Sequence, residues 1–333
     1  MIRTAILHGG GYVGRELIQL LLKHPRASLD GVTSRTYAGA PLDTPHPALR
    51  GQHNLDFTDP SELNHTEFDV VFVAAEHGKG AANVKSLLDG GYTGDIIDMS
   101  SDFRFSNVDT YESQFKIQHP VPELIREFSY GQPEIFAPYP SRYIANPGCF
   151  STGMLLSVWP LHLNCTEINA SITAITGASG SGIRPKPTTH FPDRDGNVRA
   201  YKVLNHQHLF EISQFLKPGI SLAMVPVSGP WTRGIWGTVQ LKSPASRAEI
   251  AGWFSEAYGD HNLIRLWPDA LPELRYVVGS PYCDIGWIVR GEHLVIGFAL
   301  DNMLRGAASQ AIQNMNVLMN WPNETGLVPE AKS

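Results

Sequence analysis

The sequence predicts an α/β fold of two domains, a parallel sheet covered by helices and then an α+β domain with a mixed sheet. Up to about residue 147, short apolar runs alternate with segments of helical periodicity, as in parallel sheets covered on both faces. After that, strand-like runs rich in β-branched and aromatic residues are separated mainly by turn residues, which indicates antiparallel pairing. The 333 residues are enough for two domains of ordinary size.

The first domain is predicted from a regular series of elements. The run "TAILHGG" predicts a strand, and "GRELIQLLLKHP" predicts a helix with leucines at helical spacing that ends at Pro25. Three further apolar runs, "ASLDGVTS", "DVVFVAA" and "GDIIDMS", predict strands, and "GAANVKSLLDGG" predicts a helix between the last two. This alternation is typical of a doubly wound sheet.

The second domain begins with a helix and continues with strands. The apolar run "FSTGMLLSVWPL" predicts a helix that ends at Pro160. Strands are predicted at "ASITAITGAS", "SLAMVPVSG", "IWGTVQLKS" and "YVVGSPYCDIGWIV". Residues 183–199 are polar and rich in proline, which predicts a loop. Helical periodicity returns in "NMLRGAASQAIQNMNVLMNW".

Composition argues against several classes of function. The net charge is −6 and dense blocks of Lys and Arg are absent from the sequence, which disfavours binding to nucleic acid or anionic membranes. The sequence has neither an apolar run of about 20 residues nor a secretory leader, so we expect a soluble, cytoplasmic protein. Three widely spaced cysteines without a CxxC pair predict neither a structural zinc site nor a disulfide framework.

A glycine motif follows the first predicted strand and opens the first helix. Gly9, Gly11 and Gly14 satisfy G-x-G-x-x-G, whose glycines permit a tight turn and a close approach of the backbone to a pyrophosphate. The helix N-terminus then offers unpaired N–H groups to the phosphates. The sequence therefore predicts a Rossmann-type dinucleotide site that comprises Gly9, Gly10, Gly11, Tyr12, Val13 and Gly14.

The end of the second strand favours NADP(H) over NAD. An NAD site usually has a carboxylate there for the ribose 2′-hydroxyl. Here the strand leads into Ser34 and Arg35, and hydroxyls with a guanidinium suit a 2′-phosphate.

One cysteine has the position of a nucleophile. Cys149 follows Pro147-Gly148 at the start of an apolar helix, where the helix dipole and free N–H groups stabilise a thiolate. Cys165 and Cys283 lie near strand-like runs and fit buried structural cysteines better.

Histidines and arginines supply the remaining candidates. His206 and His208 stand two residues apart, and one of them is predicted to serve Cys149 as acid and base. A third metal ligand is missing from their neighbourhood in the sequence, so we predict no metal. Substrate anions are expected to bind near the strand end "SSDFR", which contains Ser101 and Arg104, and at Arg184 and Arg233.

At this point the sequence resembles the N-acetyl-γ-glutamyl-phosphate reductases of arginine biosynthesis and their relatives in the carrier-protein lysine pathway. The resemblance covers nearly the whole chain. It rests on "GGGYVGRELIQLLLKHP", "SSDFR", "YGQPE", "NPGCFST", "HQHLFEI", "TRGI", "YCDIG" and "DNMLRGAASQAIQNMN".

The resemblance implies NADPH-dependent reduction of an acyl phosphate to a semialdehyde through a cysteine thioester. It implies Cys149 as nucleophile and His206 as acid/base, with Asn302 near the nicotinamide. Asn146 of "NPGC" and His208 join the predicted substrate-binding residues. The implied domains are 1–147 with a C-terminal helix at 303–333, for the cofactor, and 148–302, for catalysis and for assembly into a homodimer or homotetramer.

Departures from the family pattern leave the substrate open. His8 stands where the family usually has glycine, and Ile183 stands where it often has arginine, with Arg184 one residue later. The stretch "PTTHFPDRDGNVRAYK" is more similar to the lysine-pathway relatives, whose substrate is carried on a small acidic protein. A basic patch that would suit such a carrier comprises Lys186, Arg194, Arg199 and Lys202.

Two other interpretations remain open. An aspartate-semialdehyde dehydrogenase would share the fold and the thioester chemistry. A non-catalytic NADP-binding sensor would share the fold, but it would need neither the thiol nor the imidazoles.

Overall fold

The structure, a computed structural model, describes residues 1–329 and contains two separate sheets. The first comprises six parallel strands in the order β2-β1-β3-β4-β6-β5. Its strands and helices are β1 (Ile2–Leu7), α1 (Tyr12–Leu21), β2 (Ala27–Val32), β3 (Val70–Val73), α2 (Gly80–Asp89), β4 (Asp95–Asp98), α3 (Val108–Phe115), β5 (Phe128–Tyr130), α4 (Pro133–Phe136) and β6 (Tyr143–Ala145).

Successive residues of each strand point to opposite faces of the sheet. Because the residues on both faces are apolar, helices cover both faces. Ile6, Phe72 and Ile97 are fully buried in one core cluster, and their neighbours Val71 and Ile96 are fully buried in another. The predicted parallel sheet with apolar strands is confirmed.

The second sheet has seven strands in the order β11-β12-β13-β10-β7-β9-β8, and it mixes parallel and antiparallel pairs. Its unit, Gly148–Gly306, contains α5 (Cys149–Asn164), β7 (Ile168–Thr176), α6 (Phe191–Arg194), β8 (Arg199–Ala200), α7 (Gln207–Ser213), β9 (Ile220–Ser228), β10 (Ile235–Lys242), α8 (Arg247–Tyr258), β11 (Ile264–Pro268), β12 (Cys283–Arg290) and β13 (His293–Leu300). The predicted mixed sheet is confirmed, although its strand over 276–289 begins only at Cys283.

The chain then returns to the first unit. A π-helical turn, Leu304–Ala308, precedes α9 (Ser309–Leu318), which packs on α1 and β4. The first unit therefore consists of Met1–Pro147 and a second segment that begins at Ala307. The sequence predicts that this segment begins at residue 303, four residues earlier. The predicted C-terminal helix over 303–333 ends at Leu318 instead. Residues 330–333 of that prediction lie outside the described residues.

Two other predictions need correction. Helix α5 does not stop at Pro160 but continues to Asn164. The predicted loop 183–199 contains the single turn of α6. Within residues 1–329, we find neither a helix long and apolar enough to cross a bilayer nor a group of three acidic, His or Cys side chains placed to hold a metal ion.

Candidate active site

The glycine loop joins β1 to α1 and has open space beside it at the start of α1. A Cβ atom on Gly14 would lie 2.3 Å from the carbonyl oxygen of Gly9, so glycine is required where helix and loop meet. At Gly11, the N-cap of α1, no atom of the described residues other than Gly11 and its two chain neighbours lies within 4 Å of the position a Cβ would take. Tyr12 and Val13 begin the helix. The first-turn N–H groups of α1 are therefore accessible to a phosphate from this side.

Two histidines hold this loop, and sequence reasoning missed the first of them. His46 is 2% exposed, and its Nε2 lies 2.9 Å from the carbonyl oxygen of Gly9. Burial lowers the pKa of His46, so the neutral ring donates this hydrogen bond. His8 has a left-handed backbone with φ of 63°, and its Nε2 lies 2.9 Å from Oδ1 of Asn83 in α2. The φ of residue 8 explains why glycine suits that position.

The end of β2 fits a 2′-phosphate. Ser34 is nearly buried and its Oγ accepts the N–H of Tyr37, while Arg35 is exposed to solvent. A Cβ on Gly10 would lie 3.2 Å from the Ser34 Oγ, which places this hydroxyl beside the glycine loop. Together, the open space at Gly11 and the cationic Arg35 fit NADP(H) rather than NAD.

The "SSDFR" residues of the first unit are buried. Arg104 is 6% exposed, and it donates Nε to the carbonyl of Asn146 and Nη2 to that of Met99. Asn146 is also fixed, since its Oδ1 accepts from Asn314 and its Nδ2 donates to Ala307. Both side chains therefore hold the turn before Gly148, and their contact with a substrate stays a prediction.

Ser101 differs from these two residues. It is fully buried, and its Oγ lacks a hydrogen-bond partner among the residues that the structure describes. Its contact with substrate likewise stays a prediction.

In the second unit, Cys149 is the first residue of α5 and is partly exposed. The backbone of Gly306 passes close to it, because a Cβ on Gly306 would lie 2.6 Å from the Cys149 Cβ. The thiol therefore lies at the positive end of a helix of 16 residues, which favours the thiolate.

Both histidines of the HxH pair lie at the N-terminus of α7 and next to α5. His206 is the N-cap, and its Nδ1 accepts the N–H of His208 at 3.2 Å, which leaves the proton of the neutral ring on Nε2. The two ring centroids are 4.7 Å apart, and both rings contact Phe150. A Cβ on Gly148 would lie 2.3 Å from Nε2 of His208.

Two further residues of this cluster were not predicted. Glu211 is fully buried, and its Oε1 accepts the N–H of Gly148 at 2.8 Å. The ring of Tyr201 lies 5.7 Å from that of His206, and its pKa is raised by burial and by the nearby Cys149. The signal for Glu211 was its position three residues after His208, on the same helix face.

The remaining candidates have bonds of their own or are exposed. Arg233 donates Nε to Asp301 at 2.5 Å and stays 23% exposed at its side chain, whereas Asp301 is fully buried. Asn302 accepts from the Gly234 N–H and donates to the Ser179 Oγ. Arg184 lies exposed in the loop after β7.

One residue of the predicted basic patch also makes bonds within the protein. Arg194 turns inward and donates to the Ser228 Oγ and to the carbonyls of Gly229 and Trp231. Its side chain ties loop 183–199 to the end of β9 and stays partly exposed.

Comparison with known proteins identifies close relatives of the whole chain. Residues 3–139 match the NAD-binding domain of semialdehyde dehydrogenases, and residues 149–302 match their dimerisation domain. The chain is 36% identical to an N-acetyl-gamma-glutamyl-phosphate reductase of Methanocaldococcus jannaschii and 38% identical to that of Halothermothrix orenii, with 98% of each chain covered. It is also 36% identical to a putative LysW-L-2-aminoadipate 6-phosphate reductase of Thermomicrobium roseum, over 98% of this chain and 97% of the relative.

Solved structures share the fold. Aspartate semialdehyde dehydrogenase II of Vibrio cholerae has a TM-score of 0.72 at 16% identity, covering 96% of this chain and 98% of that one. The Candida albicans enzyme, solved with NADP, has the same score at 15% identity, with the same shares covered.

Proposed function

The chain belongs to the semialdehyde dehydrogenase family and, within it, to the N-acetyl-gamma-glutamyl-phosphate reductases, and from this premise we propose its reaction and the residues that carry it. The enzyme reduces N-acetyl-γ-glutamyl phosphate to N-acetylglutamate 5-semialdehyde, reversibly, in arginine biosynthesis. The observation that supports this most is Cys149 at the first position of α5, with the His206 and His208 rings packed on the next residue, Phe150.

In the first step the Cys149 thiolate attacks the acyl carbon, the bond from that carbon to the phosphate oxygen breaks, and inorganic phosphate leaves. The product is a thioester on Cys149. NADPH, when bound, supplies the hydride that reduces this acyl group. Collapse of the resulting thiohemiacetal releases the aldehyde and returns the thiolate.

His206 moves the protons. Because its Nδ1 accepts the N–H of His208, the neutral ring presents an N–H at Nε2, suited to donate to the acyl oxygen. Arg233, whose Nε is held by Asp301, binds the acyl phosphate or the substrate carboxylate. The glycine loop, Ser34 and Arg35 hold the cofactor, and Asn302 contacts its nicotinamide.

Several finer assignments belong to the same proposal. The protein is cytoplasmic, and it assembles as a homodimer or homotetramer, which the match of residues 149–302 to a dimerisation domain supports. Ser101, Arg104, Asn146, Arg184 and His208 contribute to the substrate site. A carrier-linked aminoadipyl or glutamyl phosphate is the second candidate substrate, favoured by the relative from Thermomicrobium roseum.

The test follows NADP- and phosphate-dependent oxidation of N-acetylglutamate semialdehyde by the wild type and Cys149→Ser. We expect the serine variant to lose activity on the order of 10³-fold, because the alcohol is a far weaker nucleophile than a thiolate. Retention of activity would reject Cys149 as nucleophile.

Substrate comparison separates the alternatives. N-acetyl, N-succinyl and carrier-linked substrates are assayed beside aspartate semialdehyde. Turnover of the carrier-linked substrate alone would establish the second candidate, and turnover of aspartate semialdehyde alone would reject both. Binding of NADPH without any turnover would indicate a sensor.

A further inference from the structure

We propose that Glu211 is a positioning residue that holds the nucleophile-bearing turn against the histidine-bearing helix. The proposal rests on the function proposed above, since it assumes that Cys149 reacts. Glu211 lies in α7 and its carboxylate is fully buried. Its Oε1 accepts the N–H of Gly148, which is the N-cap of α5 and the residue directly before Cys149.

Helix α7 holds Gly148 on two sides. Glu211 binds its N–H, while His208, three residues earlier and on the same helix face, lies over its Cα with Nε2 2.3 Å from the position of a Cβ. A side chain at 148 would displace the His208 ring, so the position of Cys149 is coupled to that of α7.

The hydrogen bond also completes the helix N-terminus. A carboxylate that accepts the N–H of an N-cap residue is one half of a capping box, normally supplied from the third residue of the same helix. In α5 that third residue is Ser151, whose hydroxyl is buried without a partner among residues 1–329. Glu211 thus supplies from another helix the carboxylate that α5 does not carry, and it fixes where α5 begins.

The chain contains a matched control. In α8 the carboxylate of Glu249 accepts the N–H of the N-cap residue Ser246 at 2.8 Å, which is the same bond at a helix without a nucleophile. Removing either carboxylate deletes a hydrogen bond to the N–H of an N-cap residue, buried at Glu211 and exposed at Glu249, but only Glu211 is joined to the turn before Cys149.

The experiment compares Glu211→Gln, Glu211→Leu and Glu249→Leu. Glutamine keeps an acceptor oxygen for the Gly148 N–H, whereas leucine keeps the volume without the acceptor. We expect Glu211→Leu to lower kcat by about 10- to 100-fold through misplacement of the thiol, with KM for NADPH unchanged. Glu211→Gln should retain most of the activity, and Glu249→Leu should retain the wild-type kcat.

A second readout needs no substrate. Iodoacetamide labelling of Cys149, quantified by peptide mass spectrometry against Cys165, should slow in Glu211→Leu and remain near wild type in Glu211→Gln. Wild-type kcat and labelling in a folded Glu211→Leu would overturn the proposal, as would equal losses in the Gln and Leu variants. If the wild type turns over no acyl phosphate, the proposed function fails, and the labelling rates still decide the role of Glu211.

Discussion

The hydroxyl of Tyr258 donates a 2.7 Å hydrogen bond to the backbone carbonyl of Leu156. In a regular helix that carbonyl would accept the N–H of residue 160, but Pro160 has none. Tyr258 in α8 replaces the missing donor, and this explains why α5 continues past a proline that the sequence predicts as its end.

We therefore predict that Tyr258→Phe lowers the free energy of unfolding by about 1–2 kcal/mol, because the buried carbonyl loses its donor. In a Pro160→Ala background the loss should be smaller, since residue 160 then offers an N–H. Urea unfolding of the four proteins in this cycle measures the difference. An identical loss in both backgrounds would show that the two donors are unrelated.

His8 combines a left-handed backbone with a side-chain bond to Asn83. Both His8→Ala and His8→Gly lose that bond, but only glycine relieves the strain. We expect the alanine variant to be less stable than the glycine variant by about 1 kcal/mol. Thermal unfolding of the two variants tests this, and an equal or reversed order would contradict it.

Arg35 is predicted to distinguish the two cofactors. Arg35→Asp should weaken NADPH binding by about 10- to 100-fold, because it replaces a charge-assisted bond to the 2′-phosphate by repulsion. NADH binding should change much less. Fluorescence titration with both cofactors measures the ratio, with the exposed Lys85→Asp as a control for net charge. Equal losses for NADPH and NADH would remove Arg35 from the 2′-phosphate site.

Asp98 should make stability depend on pH. Burial, and then the neighbouring Asp102, raise the pKa of the Asp98 carboxyl from 3.8 to about 7. Between these values the folded protein binds more protons than the unfolded chain, so the free energy of unfolding falls as pH rises and stays low above about pH 7. Asp98→Asn removes this ionisation.

The melting temperature of Asp98→Asn relative to wild type should therefore be higher at about pH 8 than at about pH 5. Differential scanning calorimetry at several pH values measures this difference. A difference that does not change with pH would mean that Asp98 does not titrate in this window.

Arg194 is expected to hold loop 183–199 in place. Arg194→Ala removes the bonds to Ser228, Gly229 and Trp231, so the loop should open more often. Amide hydrogen exchange across residues 183–199, followed by mass spectrometry, should then accelerate. The exposed Arg199→Ala serves as control, and equal exchange in both variants would show that Arg194 does not hold the loop.

The sequence by itself determined the features that depend on neighbouring residues. Alternating apolar strands and helices predicted the parallel sheet, because burial on both faces requires a continuous apolar run. The glycine loop and Cys149 at a helix start were equally visible, since a turn and a helix N-terminus are local structures.

Only the tertiary structure decided the contacts between distant positions. Glu211 reaches Gly148 across 63 residues and Tyr258 reaches Leu156 across 102. The spacing to His208 marks Glu211 as a neighbour of the histidines, but the sequence does not pair either side chain with its backbone partner.

The sequence predicts Arg194 to be a surface charge in a polar loop. In the folded protein its guanidinium points inward, because three acceptors lie within hydrogen-bond distance of it. Buried polar groups must find partners, and which partners they find depends on how the elements pack.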